Sequence, residues 1–573
     1  MTARQIASVL SDIQTYLELN GAEDFRTKAY ARAARALETT TVDVEEAARA
    51  GRLTSIPGIG KALAAEVHEI IETGSCAQLA ELRESTPPGL IDITRIRGVG
   101  GRKVRQLHQA LGVASLDELE QACRDGRVAG VSGFGAKSQE NILGGITELK
   151  KNEGRFRLDT ALRLGATLLE RLRALPSVRR AEPTGALRRG AEEFDGIELI
   201  VESDDTHALE RDLATVLTDV HAVDGVLRGI AEERYEVRVH AASTEAFALR
   251  LHATTGAPEY AALIATALEA RGYELRDDAV LRDGAPVAIA SEEDIFGLAG
   301  AAYIAPEMRE GIDEVRRAID GGLPELVDAS RMRGVLHVHS VWSDGRRTIA
   351  ELAEHAIAEG YEYLLMCDHS KAAFYANGLD EARLEQQGRE IDAINERYDP
   401  ARFRVLKGIE CDILADGSLD LADDALAALD AVVISVHSRF ELGREQQTNR
   451  ICRALEHRYT TILGHATGRL LLSRKGYDVD LRMVVDTAAR HRRSIEINGN
   501  PYRLDLSWRV AHGAQRLGVP IAINPDAHTL EDFANVGYGL VMARKAGLTG
   551  ADVVNTKTAD EFLAWSRSLR EAS

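Results

Sequence analysis

The sequence predicts a multidomain chain that mixes α+β and α/β architecture and ends in a distorted parallel barrel of seven strand–helix units. Three observations carry this. Seven strand-like segments in the last 240 residues each end in a metal-seeking side chain: VLHVH (His337, His339), LLMCDH (His369), LKGIE (Glu410), VVISVH (His437), TILGH (His465), SIEIN (Glu496) and IAINPDAH (Asp526, His528). Counted from His337, the steps between them are 32, 41, 27, 28, 31 and 30 residues. A strand, its crossover helix and two short loops take roughly 30 residues or more. Second, three Gly-x-Gly turns, each before an amphipathic helix, fall within the first 150 residues. Third, 573 residues exceed one hydrophobic core, so several domains are required.

Composition narrows the class. The apolar fraction of 45% is that of ordinary globular domains. No apolar run approaches the ~20 residues that span a bilayer, and MTARQIASVL lacks a secretory apolar core, so a cytoplasmic protein without a membrane partner is expected. Cys76, Cys123, Cys367, Cys411 and Cys452 show no CxxC spacing and read as reduced, buried side chains. A net charge of 70 − 90 = −20 argues against coating DNA through bulk electrostatics. Local contacts through backbone amides or metal ions remain open.

From the N-terminus, LTSIPGIGKALAAEV, ITRIRGVGGRKVRQL and VAGVSGFGAKSQENI share one helix-hairpin-helix pattern around Gly58 and Gly60, Gly98 and Gly100, and Gly133 and Gly135. The glycines let backbone approach a phosphate, and the helix that follows presents free N–H groups to it. Such contacts set register on DNA without reading its sequence. Arg95, Arg97, Arg102, Lys103 and Arg105 make the second hairpin the most basic. FRTKAYARAARAL and the hairpins together resemble the family X DNA polymerases of bacteria and archaea. The resemblance implies an N-terminal helical domain over 1–84 and fingers over 85–152. Where animal relatives place a lyase lysine after the first hairpin, this chain has Glu66.

Next, PTGALRRGAEEFDGIELIVES and RYEVRVH resemble the nucleotidyltransferase palm, implying a palm over 153–243, a thumb over 244–315 and a linker over 316–330. In that family, aspartates at alternate strand positions bridge two Mg²⁺ ions. Here the motif serine is Ala186, beside Arg189, and the three aspartate positions hold Gly196, Glu198 and Glu236. Glycine offers no ligand, and glutamate reaches a methylene too far for octahedral Mg²⁺. Asp195, one residue off, is expected to face the opposite side of the strand. In the thumb, Ala253-Thr254 stands where the family has Tyr-Phe. Polymerisation is therefore expected to be lost or weak, any residue of it needing Mg²⁺ or Mn²⁺, and a deoxynucleoside triphosphate is not the expected ligand.

The last region, 331–573, resembles the PHP (polymerase and histidinol phosphatase) domain over essentially its whole length. All nine metal positions of that family are filled: His337, His339, Asp344, His369, Glu410, His437, His465, Asp526 and His528. By resemblance they hold three divalent ions, Zn²⁺ or Mn²⁺ (or both), with Glu410 bridging two and Glu410, His437 and Asp526 nearest the chemistry. Such ions activate water and neutralise charge on a phosphodiester. Arg439, Arg469 and Arg503 follow strand ends and are candidates for holding the substrate phosphate, a solvated surface role being the alternative for each. Glu496 and Asn498 share a strand face near the ligands and are expected to orient them. Asp368 should face away from the metals and be structural.

The expected function is a DNA repair protein that binds gapped, nicked or 3′-damaged DNA, with metal-dependent 3′–5′ exonuclease or phosphoesterase activity in the barrel and no obligate protein partner. Alternatives are an active gap-filling polymerase with barrel proofreading, a small-molecule phosphatase of the histidinol-phosphate type, and a non-enzymatic scaffold for DNA ends.

Overall fold

The computed structural model describes residues 3–571 apart from 23, 41, 43, 97, 277 and 278, so Arg97 lies outside the described residues. The chain divides into two compact units, Met1–Glu153 and Gly154–Ser573.

The first unit is helical. Among the described residues, nine α-helices, from Ala3–Leu19 to Ala136–Lys151, enclose one apolar core that includes Ile13, Ile56, Val67, Val104 and Ile146. Glu66 accepts a hydrogen bond from the Tyr30 hydroxyl at 2.8 Å.

The second unit begins with a five-stranded sheet in the order Arg180–Pro183, Ile197–Glu202, Tyr235–Ala242, Val226–Ala231 and Thr218–Val223. Only the pairing of Ile197–Glu202 with Tyr235–Ala242 is parallel, and it sets Glu198 opposite Arg238. Helices Phe247–Thr255, Pro258–Glu269 and Glu292–Ala299 then pack around a small antiparallel sheet. Their core holds an ionic cluster: Arg188 grips Glu292 through both carboxylate oxygens (3.0 and 2.6 Å), and fully buried Arg309 pairs with the same carboxylate.

Beside that cluster His252 is 4% exposed, and neither ring nitrogen makes a hydrogen bond. Burial, reinforced by Arg309, pushes its pKa down to about 3. The folded state thus refuses a proton that the unfolded chain accepts below about pH 6.5, so stability is present above that pH and drains away as pH falls. By pH 4.5 the loss is roughly 2–3 kcal/mol. Denaturant melts of wild type and His252→Leu at pH 7 and 4.5 should show the variant losing less by that amount. Parallel losses would refute the assignment.

The barrel begins at Gly334–Val338, followed by Tyr363–Met366, Arg404–Leu406 continuing into Glu410–Asp412, Val433–Ser435, Ile462–Leu463, Ser494–Asn498 and Ile521–Asn524. Every pairing is parallel. The third strand breaks at Lys407–Ile409, pairing with one neighbour before the break and the other after it. Closure comes from Ala527 N–H donating to His337 C=O at 3.2 Å and His339 N–H donating to Ala527 C=O at 2.9 Å. Seven strand segments make the distorted barrel that the spacing predicts.

Palm and barrel share one apolar core, from Phe156 through Leu199 and Ile434 to Val553. Polar ties reinforce it: Arg157 stacks over the Tyr502 ring at 3.7 Å, and Lys545 donates to the Arg189 carbonyl at 3.0 Å. No described helix is long and apolar enough to cross a membrane. All five cysteines are buried and free.

Candidate metal centre and palm site

Parallel strands end on one side of a barrel, so side chains at their C-terminal ends converge. His337 and His339 alternate onto one face of their strand, whereas Asp526 and His528 follow the end of theirs and reach the same cluster from a loop, Asp526 lying 3.2 Å from His339 and His528 3.3 Å from Asp344. Three overlapping donor groups result: His339, Asp344, His369 and His528; His337, His339 and Asp526; and His369, Glu410 and His437. Within each, ligand atoms lie no more than 4.8 Å apart.

Glu410 is the hub. Its two oxygens face His369 Nδ1 (2.9 Å), His465 Nε2 (3.0 Å), His437 Nε2 (3.3 Å), His337 Nε2 (3.5 Å) and His339 Nε2 (3.7 Å). Thus all nine predicted positions are brought together. His465 (φ 21°) and Asp526 (φ 52°) hold left-handed backbone, which costs about 1–3 kcal/mol each and persists where surroundings impose it.

The electrostatics call for cations. Both Glu410 oxygens, His337 Nε2, His339 Nδ1, His369 Nδ1 and His465 Nδ1 are buried without a hydrogen-bond partner. Orphaned buried polar atoms in such number are costly, and a divalent ion satisfies several at once. Asp344, Glu410, Glu496 and Asp526 also place four carboxylates around this one cleft. Although burial favours neutral acids, His437, His369 and His337 hold Glu410 well below the carboxylate range. Conversely, burial opposes charging His437, yet Glu410 and Asp412 carry it up to about 10. His528 is likewise raised to about 9 against burial, by Asp344 and Asp526. His339, fully buried beside two other histidines, drops to about 4. Imidazole and carboxylate donors without thiolate fit Zn²⁺ or Mn²⁺, and burial pushes the nearby Cys367 thiol further from ionising.

Supporting contacts orient the donors. Glu496 takes the His337 Nδ1–H at 2.6 Å, leaving Nε2 to face the cluster, and Asn498 and Asn524 each donate to Glu496 at 2.9 Å. Asp368, as expected, faces away: it accepts from Ser340 N–H (2.8 Å), Ser343 N–H (3.1 Å) and Gln387 (2.6 Å), fixing the loop that carries Asp344. Asp412 was missed. It pairs with His437 Nδ1 at 3.4 Å, and its signal was plain, since Glu410-x-Asp412 puts both carboxylates on one strand face.

The three arginines fare differently. Arg503 lies 3.5 Å from Asp526 at the edge of the cluster. Arg439 is exposed and pairs with Glu441 at 3.1 Å. Arg469 requires correction: it donates to the Arg503 carbonyl at 2.9 Å and to that of Leu504, and it bridges to Glu192 at 3.0 Å. Its guanidinium is spent tying barrel to palm, so neither the phosphate nor the solvated role holds.

The palm presents the opposite fit. Arg238 Nε lies 2.9 Å from Glu236, and its Nη1 lies 3.2 Å from Asp195 and 3.8 Å from Glu198. A Cβ on Gly196 would meet this guanidinium at 3.3 Å. A cation therefore stands against Gly196. Glu198 also accepts the Ala186 N–H at 3.2 Å, and Arg189 is held by Glu310 at 3.0 Å. These residues do not fit a pair of divalent ions. Asp195 also corrects the expectation: it precedes the regular strand Ile197–Glu202, so alternation does not apply, and it reaches the same guanidinium as Glu198.

In the helical unit, Gly58, Gly98 and Gly133 adopt φ of 92°, 79° and 80°. Gly60, Gly100 and Gly135 are the N-caps of Lys61–Thr73, Gly101–Leu111 and Ala136–Lys151, none with a side-chain cap bond. An added Cβ at Gly60, Gly100 or Gly135 would meet nothing within 4 Å, whereas one on Gly101, the first residue of the second of these helices, would meet the Glu18 side chain at 2.7 Å. Lys103 folds back on the Gly98 carbonyl at 2.7 Å, and Arg102 lies 3.8 Å from Glu18.

Comparison with known proteins fits these features. Residues 1–76 match the helix-hairpin-helix domain family, 90–146 the SAM-like helix-hairpin-helix tandem, 250–310 the DNA polymerase beta thumb and 336–490 the PHP domain. Over 572 residues the chain is 33% identical to the DNA polymerase/3′-5′ exonuclease PolX of Bacillus subtilis (strain 168), covering 99% of each. Over 231 residues it is 29% identical to a probable phosphatase of Thermoanaerobacter sp. (strain X514), covering 38% of this chain and 89% of that relative.

Proposed function

The chain belongs to the family X DNA polymerases that carry a PHP domain, and from that premise we propose that its barrel performs the chemistry while its palm does not polymerise. It is a DNA-binding repair protein whose barrel is a metal-dependent 3′–5′ exonuclease/phosphoesterase. The division is assigned as helical domain 1–84, fingers 85–152, palm 153–243, thumb 244–315, linker 316–330 and barrel 331–573.

One observation carries the proposal: the barrel's buried donors lack partners, whereas the palm's carboxylates already share Arg238. His337, His339, Asp344, His369, Glu410, His437, His465, Asp526 and His528 hold the metals, and the three overlapping donor groups support three ions, Zn²⁺ or Mn²⁺. When bound, they acidify water and offset charge on the phosphodiester. The protein's own residues position the substrate. Glu496 fixes the His337 ring, Asp412 fixes that of His437, and Arg503 stands at the rim to hold the substrate phosphate. The hairpin glycines hold the DNA backbone, directing the chemistry to gapped, nicked or 3′-damaged ends.

Purified protein with Mn²⁺ should shorten a 5′-labelled primer in gapped DNA from its 3′ end, and a chelator should stop it. Intact 3′ ends under those conditions would overturn the proposal.

A further inference from the structure

We propose that Phe374 and Tyr375 form a cradle for one unpaired nucleobase at the DNA 3′ end, an inference that rests on reading the barrel as a 3′-trimming site. Phe374 is 85% exposed and Tyr375 64%, while Ala373 and Ala376 on either side are buried. Neither ring packs into an apolar core, so burial does not account for them.

The turn beneath is rigid. Ser370 bridges Leu379, and Asn377, in left-handed backbone (φ 57°), donates to the Trp342 carbonyl at 3.0 Å. Arg383 donates to the Gly378 carbonyl at 3.1 Å, and a Cβ on Gly378 would strike the Ser370 carbonyl oxygen at 1.9 Å. Fold contacts thus fix the backbone from which the two aromatic rings project into solvent, so the turn itself need not reorganise on binding.

Position and angle indicate the occupant. The Tyr375 ring centre lies 6.4 Å from that of His369, a member of two donor groups, so a ligand touching both ring and metals is about one nucleotide in size. The Phe374 and Tyr375 centres are 6.2 Å apart with planes at 78°. Such a corner offers one ring's face and the other's edge, which receives a single flat base and cannot sandwich two. Stacking is sequence-tolerant because every base has a π-face. A base within a duplex already spends its faces on its neighbours, so the cradle selects an unpaired end.

The test compares wild type with Phe374→Ala/Tyr375→Ala, using Mn²⁺ and two oligonucleotides with single-stranded 3′ tails. One ends in a normal nucleotide and the other in an abasic residue. The double variant should lose roughly tenfold or more of the wild-type preference (ratio of kcat/KM) for the base-bearing end, through KM. Phe374→Trp should retain it. An unchanged ratio overturns the proposal. Independently, a 3′-terminal 2-aminopurine should be quenched on binding full-length Glu410→Ala protein and not when both rings are removed. If wild type trims neither oligonucleotide but this ring-dependent quench is present, the cradle stands and the trimming reading falls. If the quench does not depend on the rings, the cradle falls.

Discussion

Glu410→Ala should reduce 3′ trimming roughly a thousandfold or more, equivalent to about 4 kcal/mol of barrier. Its carboxylate faces His337, His339, His369, His437 and His465, all within 3.7 Å, whereas Asp526 reaches only His337 and His339 within that distance among these five. Alanine removes the one carboxylate that faces all five imidazoles, so an ion that enters loses its shared anionic ligand. Bound metal should fall together with activity, read by elemental analysis of the purified proteins. Trimming at the wild-type rate would place the chemistry elsewhere. With trimming so reduced, the same variant should leave its product intact, which makes it the right background for primer extension. With either Mg²⁺ or Mn²⁺, extension should be absent, because Arg238 occupies the space against Gly196 and shares Asp195, Glu198 and Glu236. Synthesis that Glu198→Ala then abolishes would restore the gap-filling reading.

Glu292→Ala should destabilise the second unit by about 3–5 kcal/mol, the usual result of removing one partner of a buried ion pair. Burial works against its charge, yet hydrogen bonds from Arg188 and the field of Arg309 bring its pKa down to about 2. Arg309 is wholly enclosed, with Phe296 and Tyr303 under its guanidinium at 5.2 and 5.4 Å, so without Glu292 its charge has no anion to meet. Arg188 would keep its bond to Thr255 at 2.9 Å. Because Arg188 belongs to the palm turn and Glu292 to the thumb, the loss should loosen one against the other. Glu292→Gln, which keeps the shape and surrenders the charge, should fall between the two proteins. Denaturant midpoints measured at pH 7 decide the matter, and equal midpoints would contradict it. For wild type, the Glu292 contribution is present above about pH 4.5 and disappears as pH falls towards about 2.

Much of this protein is legible without coordinates, for a simple reason. Strand geometry repeats every two residues and a parallel barrel brings strand ends together, so His337-x-His339 declares a shared face, and the regular spacing of ligand-bearing strand ends declares the assembly. The glycine hairpins are legible because few other residues accept their backbone. By the same two-residue rule, Asp412 was there to be read.

Other features depended on partners far apart in the chain. Nothing local to Arg469 names Glu192 or the Arg503 carbonyl, and only the packing of barrel against palm turns a candidate phosphate ligand into a strut. Asp195 escaped alternation because the chain there is not yet a strand. From the sequence alone, Gly196, Glu198 and Glu236 are expected at the palm's three aspartate positions. Tertiary structure decided what they meet: parallel pairing sets Arg238 opposite Glu198, and its guanidinium also draws in Glu236 and Asp195, because residues distant in the chain come together only when the strands pair.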